Sequence, residues 1–276
     1  MAVGKDSWRC WMEACRPLLS GACGACWTSG LERLTLDAGD KREGKAMTES
    51  EWLERTDPNP MLKFLEGKAS DRKVRLFVCA CCRHIWHKFT DDSIQQGHSA
   101  VDIAERLADG EAESGEVATV RTQINELIRI KEQQWAEESQ FSEAAFLYGY
   151  MDQWPLLLAQ SAVAKDVTTR WVNLAADARA EGPADWTALV ALVHDIFGLL
   201  PFRPVTVAPA WAAWNDGTVV KLAQGIYEDR AFDRLPILAD ALEEAGCSHP
   251  DVLSHCRGPG PHVRGCWLVD LLLGKS

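Results

Sequence analysis

A mainly α architecture is predicted by three features of this sequence. Apolar residues recur at spacings of three and four along most of the chain, glycine and proline fall between those stretches, and no convincing run of alternating apolar and polar residues marks a strand. The expected arrangement is a multi-helix bundle over residues 47–198, a proline-rich crossing, and a small helical C-terminal unit over residues 199–276 packed on the bundle. With 276 residues, 47% apolar and 25% charged, the chain has the length and balance to build a substantial core.

The elements follow in order. Thr48 caps a first helix, and Glu51 three residues later completes a capping box ahead of Trp52 and Leu53. Met61, Leu62 and Leu65 form a short second segment after Pro58 and Pro60 that stops at Gly67. Ser70 caps a long helix whose Val74, Phe77, Val78, Cys81, Ile85 and Phe89 share one stripe. Residues 91–108 end at Gly110, and residues 117–135 carry Val120, Ile124, Leu127, Ile128 and Trp135 along one face. A tract over 143–180 is interrupted at Pro155, whose ring and missing N–H break or kink a helix. Residues 185–197 repeat the pattern with Trp186, Leu189, Val190, Val193 and Phe197.

Between Leu199 and Pro209, three prolines enforce an extended path. Trp211 and Trp214 then precede the turn Asn215-Asp216-Gly217, with Thr218 placed to cap a helix over 219–228. Residues 235–245 close at Gly246, Ser248 or Pro250 opens a short helix, and Gly258-Pro259-Gly260-Pro261 breaks it. Residues 266–273 read as a packed terminal helix.

Composition changes near residue 47. Residues 1–46 hold Cys10, Cys15, Cys23 and Cys26, show no sustained period, and carry 7 basic against 6 acidic residues, so the remainder, with 22 basic and 34 acidic, carries a net −12. The codons for Glu43-Gly44-Lys45-Ala46 can place a purine-rich GAGG just ahead of the Met47 ATG, where a bacterial ribosome-binding site would lie. Residues 1–46 are therefore expected to be an N-terminal extension that is not natural, with Met47 as initiator. The competing reading of this segment is a zinc knuckle built on Cys23-x-x-Cys26 with Cys10 and Cys15.

Charge and motifs exclude several functions. A pI of about 5.1 argues against a general phosphate-backbone binder, so no nucleic-acid partner is expected. No apolar run reaches bilayer length and the first 30 residues lack a secretory pattern, which predicts no membrane partner and a cytoplasmic protein. There is no G-x-S-x-G elbow, H-E-x-x-H helix or G-x-G-x-x-G turn. Terminal Gly274-Lys275-Ser276 mimics the end of a phosphate loop, but position 269 is Val rather than Gly.

The ten cysteines, in a chain this long, read as reduced thiols. Cys79 and Cys82 share one helical face and His84 and His87 another, rotated apart, so one metal cannot readily take all four. Either pair could recruit distant ligands, among them Cys247, His249, His255, Cys256, His262 and Cys266, and such Cys/His sets suit tetrahedral zinc. The competing reading makes the thiols of the Ser70-capped helix buried small hydrophobes. No catalytic residue is assigned. His194-Asp195 reads as a pair with one residue facing inward and the other in solvent. Arg72, Lys73, Arg75, Arg83, His84 and Lys88 read as the wet face of a helix paired with acids such as Asp71. Of the twelve tryptophans, Trp211 and Trp214 suit either a grip for a protein partner or a pin that holds the proline-rich crossing on the core.

Several stretches together resemble a paralogous family of planctomycete-type bacteria with large genomes: Met47-Thr48 to Trp52-Leu53, Cys79-Ala80-Cys81-Cys82-Arg83-His84-Ile85-Trp86, Pro201-Phe202-Arg203-Pro204-Val205-Thr206, residues 214–223, and residues 258–267. The resemblance covers residues 47–276 and implies no activity, cofactor or catalytic residue. It also implies a start at Met47, and a Leu where this chain has Cys256, which counts against a ligand role there.

The function expected from these features is a non-catalytic interaction or scaffold module without a cofactor. The alternatives are a zinc-binding protein using the Cys/His sets, or an enzyme of unrecognised class. Terminal mass spectrometry of the natively expressed protein should find Met47 at or next to the N-terminus, and a peptide spanning Cys23 to Trp27 would overturn the start-site expectation.

Overall fold

The structure is a computed structural model that describes residues 47–86, 93–138, 156–165, 167, 183–199 and 202–275. Helices account for 74% of these residues and none lies in a strand, so the architecture is mainly α. The expectations for the cysteines of residues 1–46, for His87, Lys88 and Phe89, and for the Pro155 break fall outside the described residues. None of the helices described is long and apolar enough to cross a membrane.

Helix α1 (Glu49–Glu54) starts with the expected capping box: the Thr48 hydroxyl accepts from the Glu51 N–H, and the Thr48 N–H donates to the Glu51 carboxylate at 2.8 Å. Asp57 caps α2 (Pro58–Leu65), which buries Met61, Leu62 and Leu65. Ser70 caps α3 (Asp71–Ile85), the central helix, in which every residue from Lys73 to Cys82 is buried. A helix covered on all sides is a core helix rather than an amphipathic surface one. It packs against α4 (Ser93–Ala108) on one side and α6 (Pro183–Phe197) on the other, and α4 in turn packs on α5 (Ser114–Glu138). Residues 156–162 are helical, and the Arg75 guanidinium donates to the carbonyls of Ala162 and Ala164 at the end of that segment, which satisfies acceptors that the helix itself leaves open.

After the crossing, α7 (Pro209–Ala213) begins at the last of the prolines, earlier than an extended path would allow. Helix α8 (Thr218–Asp229) follows Gly217 at φ +79°, so Thr218 is the first helical residue rather than the cap. Its hydroxyl donates back to the Asn215 carbonyl at 2.6 Å. Helices α9 (Leu235–Glu244), α10 (Pro250–Arg257) and α11 (Trp267–Leu273) complete the chain, with α11 packed on α8 and also touching α6. Two apolar clusters result. One runs from Trp52 to Phe197 and the other from Val205 to Leu272. Trp211 is buried in the second and Trp214, partly buried, packs against it.

Buried charge joins the two clusters, and for Arg72, Lys73 and Arg75 this corrects the expectation of a wet helix face, whereas Arg83 is exposed and pairs with acids. Arg72 makes a two-pronged pair with Asp270 of α11 (2.7 and 3.0 Å), and Lys73 pairs with the same carboxylate at 2.6 Å. Asp109, with no exposed side-chain surface, accepts from Arg72, from Arg264 at 3.1 Å and from the Tyr227 hydroxyl at 2.7 Å. Glu105, nearly as deep, meets Arg83 and Arg230. The acids come from α4 (Glu105), the turn after it (Asp109) and α11 (Asp270), and the basic side chains from α3 and from residues 230–264.

Two outcomes follow for stability. Trp267 is 4% exposed whereas Leu271 is only partly buried, so Trp267→Ala should cost about 3–5 kcal/mol in a denaturant melt and Leu271→Ala clearly less. Burial pushes the Asp109 carboxyl up, but the Tyr227 hydroxyl, Arg72 and Lys275 together outweigh it and hold it below its ordinary value. A carboxyl with a lowered folded pKa stabilises above its unfolded pKa and loses that contribution as pH falls through the folded one. Acid titration should therefore show a stability loss below the ordinary carboxylate range that is smaller in Asp109→Asn. An identical pH profile in the variant would contradict this.

Candidate metal centre

Three segments meet where the C-terminal unit covers the end of α6. Asp195 lies near the end of α6, His255 in the last turn of α10, and His262 and Cys266 in the connection from α10 to α11. One ligand atom from each of the four lies within 4.8 Å of all the others, and they form the one such group found among the described residues.

Local sequence explains the convergence. Helix α10 buries Val252 and Cys256 and ends at Gly258, and the Gly-Pro-Gly-Pro run then turns the chain back, with Gly260 at φ +79°. His262 returns beside the helix it has just left, its Nε2 3.3 Å from the Gly258 carbonyl. Gly265 then passes α3 so closely that a Cβ there would lie 3.0 Å from the Leu76 side chain, at a φ of +97°. These two glycines let the backbone deliver His262 and Cys266 to the same point.

The distances form a connected set. His262 Nδ1 lies 2.7 Å from Asp195 Oδ1, His255 Nε2 lies 3.4 Å from that same oxygen, and His255 Nε2 lies 3.1 Å from Cys266 Sγ. The second Asp195 oxygen accepts from the Val263 N–H at 2.9 Å. The His255 ring meets His262 edge-on at 4.8 Å and tilts against Trp267 at 5.1 Å. Asp195 and Cys266 are buried, while the two imidazoles keep a small exposure.

Each ionisable group is displaced from its ordinary value. Burial pushes the Cys266 thiol well up, and the neighbouring Asp195 carboxylate adds to this. Burial also raises the Asp195 carboxyl, opposed by His262. His255 is pushed down to about 3 by burial and by His262, which keeps its imidazole neutral. Burial lowers His262, but its hydrogen bond and attraction to Asp195 outweigh that and leave it raised.

This arrangement is poorly suited to nucleophilic catalysis. A cysteine nucleophile needs a base whose second nitrogen is oriented by another group. Here His255 faces both Cys266 and Asp195 through the same nitrogen, and the sulfur is fully buried with its thiol form favoured. The set matches a metal centre better. Two imidazoles, one thiolate and one carboxylate are the donor types of tetrahedral zinc, whose ligand atoms lie about 3.3–3.8 Å apart given the usual bond lengths, against 2.7, 3.1 and 3.4 Å between the atoms in contact here. The outer contacts of a ligand set are also present, with the remaining His262 nitrogen at a carbonyl and the second Asp195 oxygen on an amide.

The residues singled out in the sequence divide accordingly. His262 and Cys266 enter the centre, joined by His255. Cys79 and Cys82 lie in the first core cluster, outside the group of four, where burial pushes both thiols up and the Cys79 sulfur faces the Val101 carbonyl at 3.9 Å, an environment in keeping with the competing reading. His84, partly buried, is not part of the group, and Cys247 is buried in the second cluster. His249 lies at the start of α10, 3.9 Å from Asp251. Asp195 is the residue that sequence reasoning missed. It is the inward-facing member of the His194-Asp195 pair, at 2% exposure, while His194 is half-buried and approaches the Trp52 carbonyl at 3.2 Å. A signal existed, because Asp195 is the one acidic or basic residue apart from histidine between Asp185 and Arg203. A lone carboxylate in so apolar a stretch needs a partner.

Comparison with known protein families, with curated proteins and with solved structures finds no match to this chain.

Proposed function

We propose that residues 47–276 form a non-catalytic helical module whose C-terminal unit is fastened to the bundle by one zinc ion held by Asp195, His255, His262 and Cys266. The observation that carries this reading is the convergence of four ligand atoms, from three separate segments, within 4.8 Å. Asp195 belongs to a helix of the first apolar cluster, and Cys266 is part of the second. A metal bound by both ties the clusters together, and its binding free energy then adds to folding. Four protein donors fill a tetrahedral shell, which is the pattern of a structural rather than a catalytic zinc. Charge supports the same ion: a carboxylate, a thiolate and two neutral imidazoles sum to −2, which a divalent cation cancels in a buried place. In this reading the chain, net −11, serves as a scaffold for a protein partner.

Metal analysis of protein purified without chelator should find about one zinc per chain. Cys266→Ser and His262→Ala should lose it, whereas Cys79→Ser and Cys82→Ser should keep it. Cobalt substitution should give a thiolate-to-metal absorption band that disappears in Cys266→Ser. Protein that stays folded yet takes up no zinc or cobalt would overturn the proposal.

A further inference from the structure

We infer that Lys73, which is not itself a ligand, is the positioning residue that sets the spacing of the metal centre by fixing the two backbone segments that carry Asp195 and Cys266. This rests on the zinc reading above. Lys73 is 8% exposed, and its ammonium has three protons and three acceptors: the Ile196 carbonyl at 3.1 Å, the Gly265 carbonyl at 2.8 Å and the Asp270 carboxylate at 2.6 Å. Two of these acceptors adjoin ligands. Ile196 follows Asp195 directly, and the Gly265 carbonyl belongs to the peptide bond that leads into Cys266. One point charge therefore grips α6 beside one ligand and the α10–α11 connection beside another.

Helix α3 adds a steric half to this grip. Leu76, one turn beyond Lys73, lies against Gly265, so the ammonium attracts that peptide while the leucine limits how closely it can approach. The third acceptor, Asp270, lies on α11, away from both ligand segments. Partners of metal ligands that fix their orientation typically change affinity about 10–100-fold when removed. Lys73 acts one peptide further out but on two ligand segments at once.

The test measures zinc affinity of the full chain by competition with a chromophoric chelator, together with the cobalt absorption spectrum, for wild type, Lys73→Met and Arg72→Met. Arg72→Met removes a neighbouring pair to Asp270 and touches neither ligand segment, so it controls for a general loss of stability. Lys73→Met should weaken zinc about 10–100-fold and shift or broaden the cobalt bands, while Arg72→Met should stay within about threefold of wild type with an unchanged spectrum. Should Lys73→Met not fold, Lys73→Gln, which keeps N–H donors but falls short of both carbonyls, is measured in its place with the same expectation. Affinity and spectrum equal to wild type in the Lys73 variant would overturn the inference, as would equal weakening by Arg72→Met, or failure of both Lys73 variants to fold while Arg72→Met folds. Wild-type protein that binds no metal would instead overturn the zinc reading itself, and the inference with it.

Discussion

The constraint on which the structure depends is the complete burial of the middle of α3. A helix enclosed on all sides has no face on which to leave charge in water, so each polar group on it must find a fixed partner within the chain. Lys73 finds two backbone carbonyls and Asp270, and Arg75 finds the end of the 156–162 helix. Arg72, just outside the buried run, takes Asp270 and Asp109. These partners come from α4, α6, α11 and the connection before α11. The enclosed helix thus specifies by hydrogen bonds how the other elements surround it, while the apolar contacts supply most of the driving force.

The same enclosure bears on the position of the candidate metal centre. Lys73 on α3 donates to a carbonyl of α6 and to one of the α10–α11 connection, and Asp195 and Cys266 are the residues next to those two carbonyls. A carboxylate as deep as Asp195 is costly to bury alone. The imidazole of His262 and the amide of Val263 offset that cost directly. The site therefore lies at the seam between the two apolar clusters, where a polar group from one can be met by polar groups from the other.

Local signals carried much of the fold into the sequence. The Thr48–Glu51 box, the Ser70 cap and the turn at Gly246 each announce an element that the structure contains, because capping is decided by residues three or four apart. Thr218 failed as a cap because Gly217, in a left-handed conformation, occupies that place. The charges were misread for a different reason. Arg72 and Lys73 look like a solvated face when only their own helix is considered, and what covers them lies about 190 residues further along the chain. Asp195 was missed likewise, since the helical stripe through Leu189, Val193 and Phe197 says which side faces the bundle but not that a second unit covers the other. His262 and Cys266 were legible as donor types, but their convergence depends on the turn at Gly260 and the close passage at Gly265, neither of which spacing alone reveals.

The latch at the start of the described chain bears on how the molecule assembles. Trp52 is fully buried, its indole donates to the Gly198 carbonyl at 3.0 Å, and its own carbonyl receives His194. Both contacts span more than 140 residues of sequence. Closing a loop of that length carries a large entropic penalty before any contact repays it, so such contacts form late in folding. Trp52 meets Phe64 of α2 early in the chain, but a growing chain leaving the ribosome cannot close the two latch contacts until α6 has emerged.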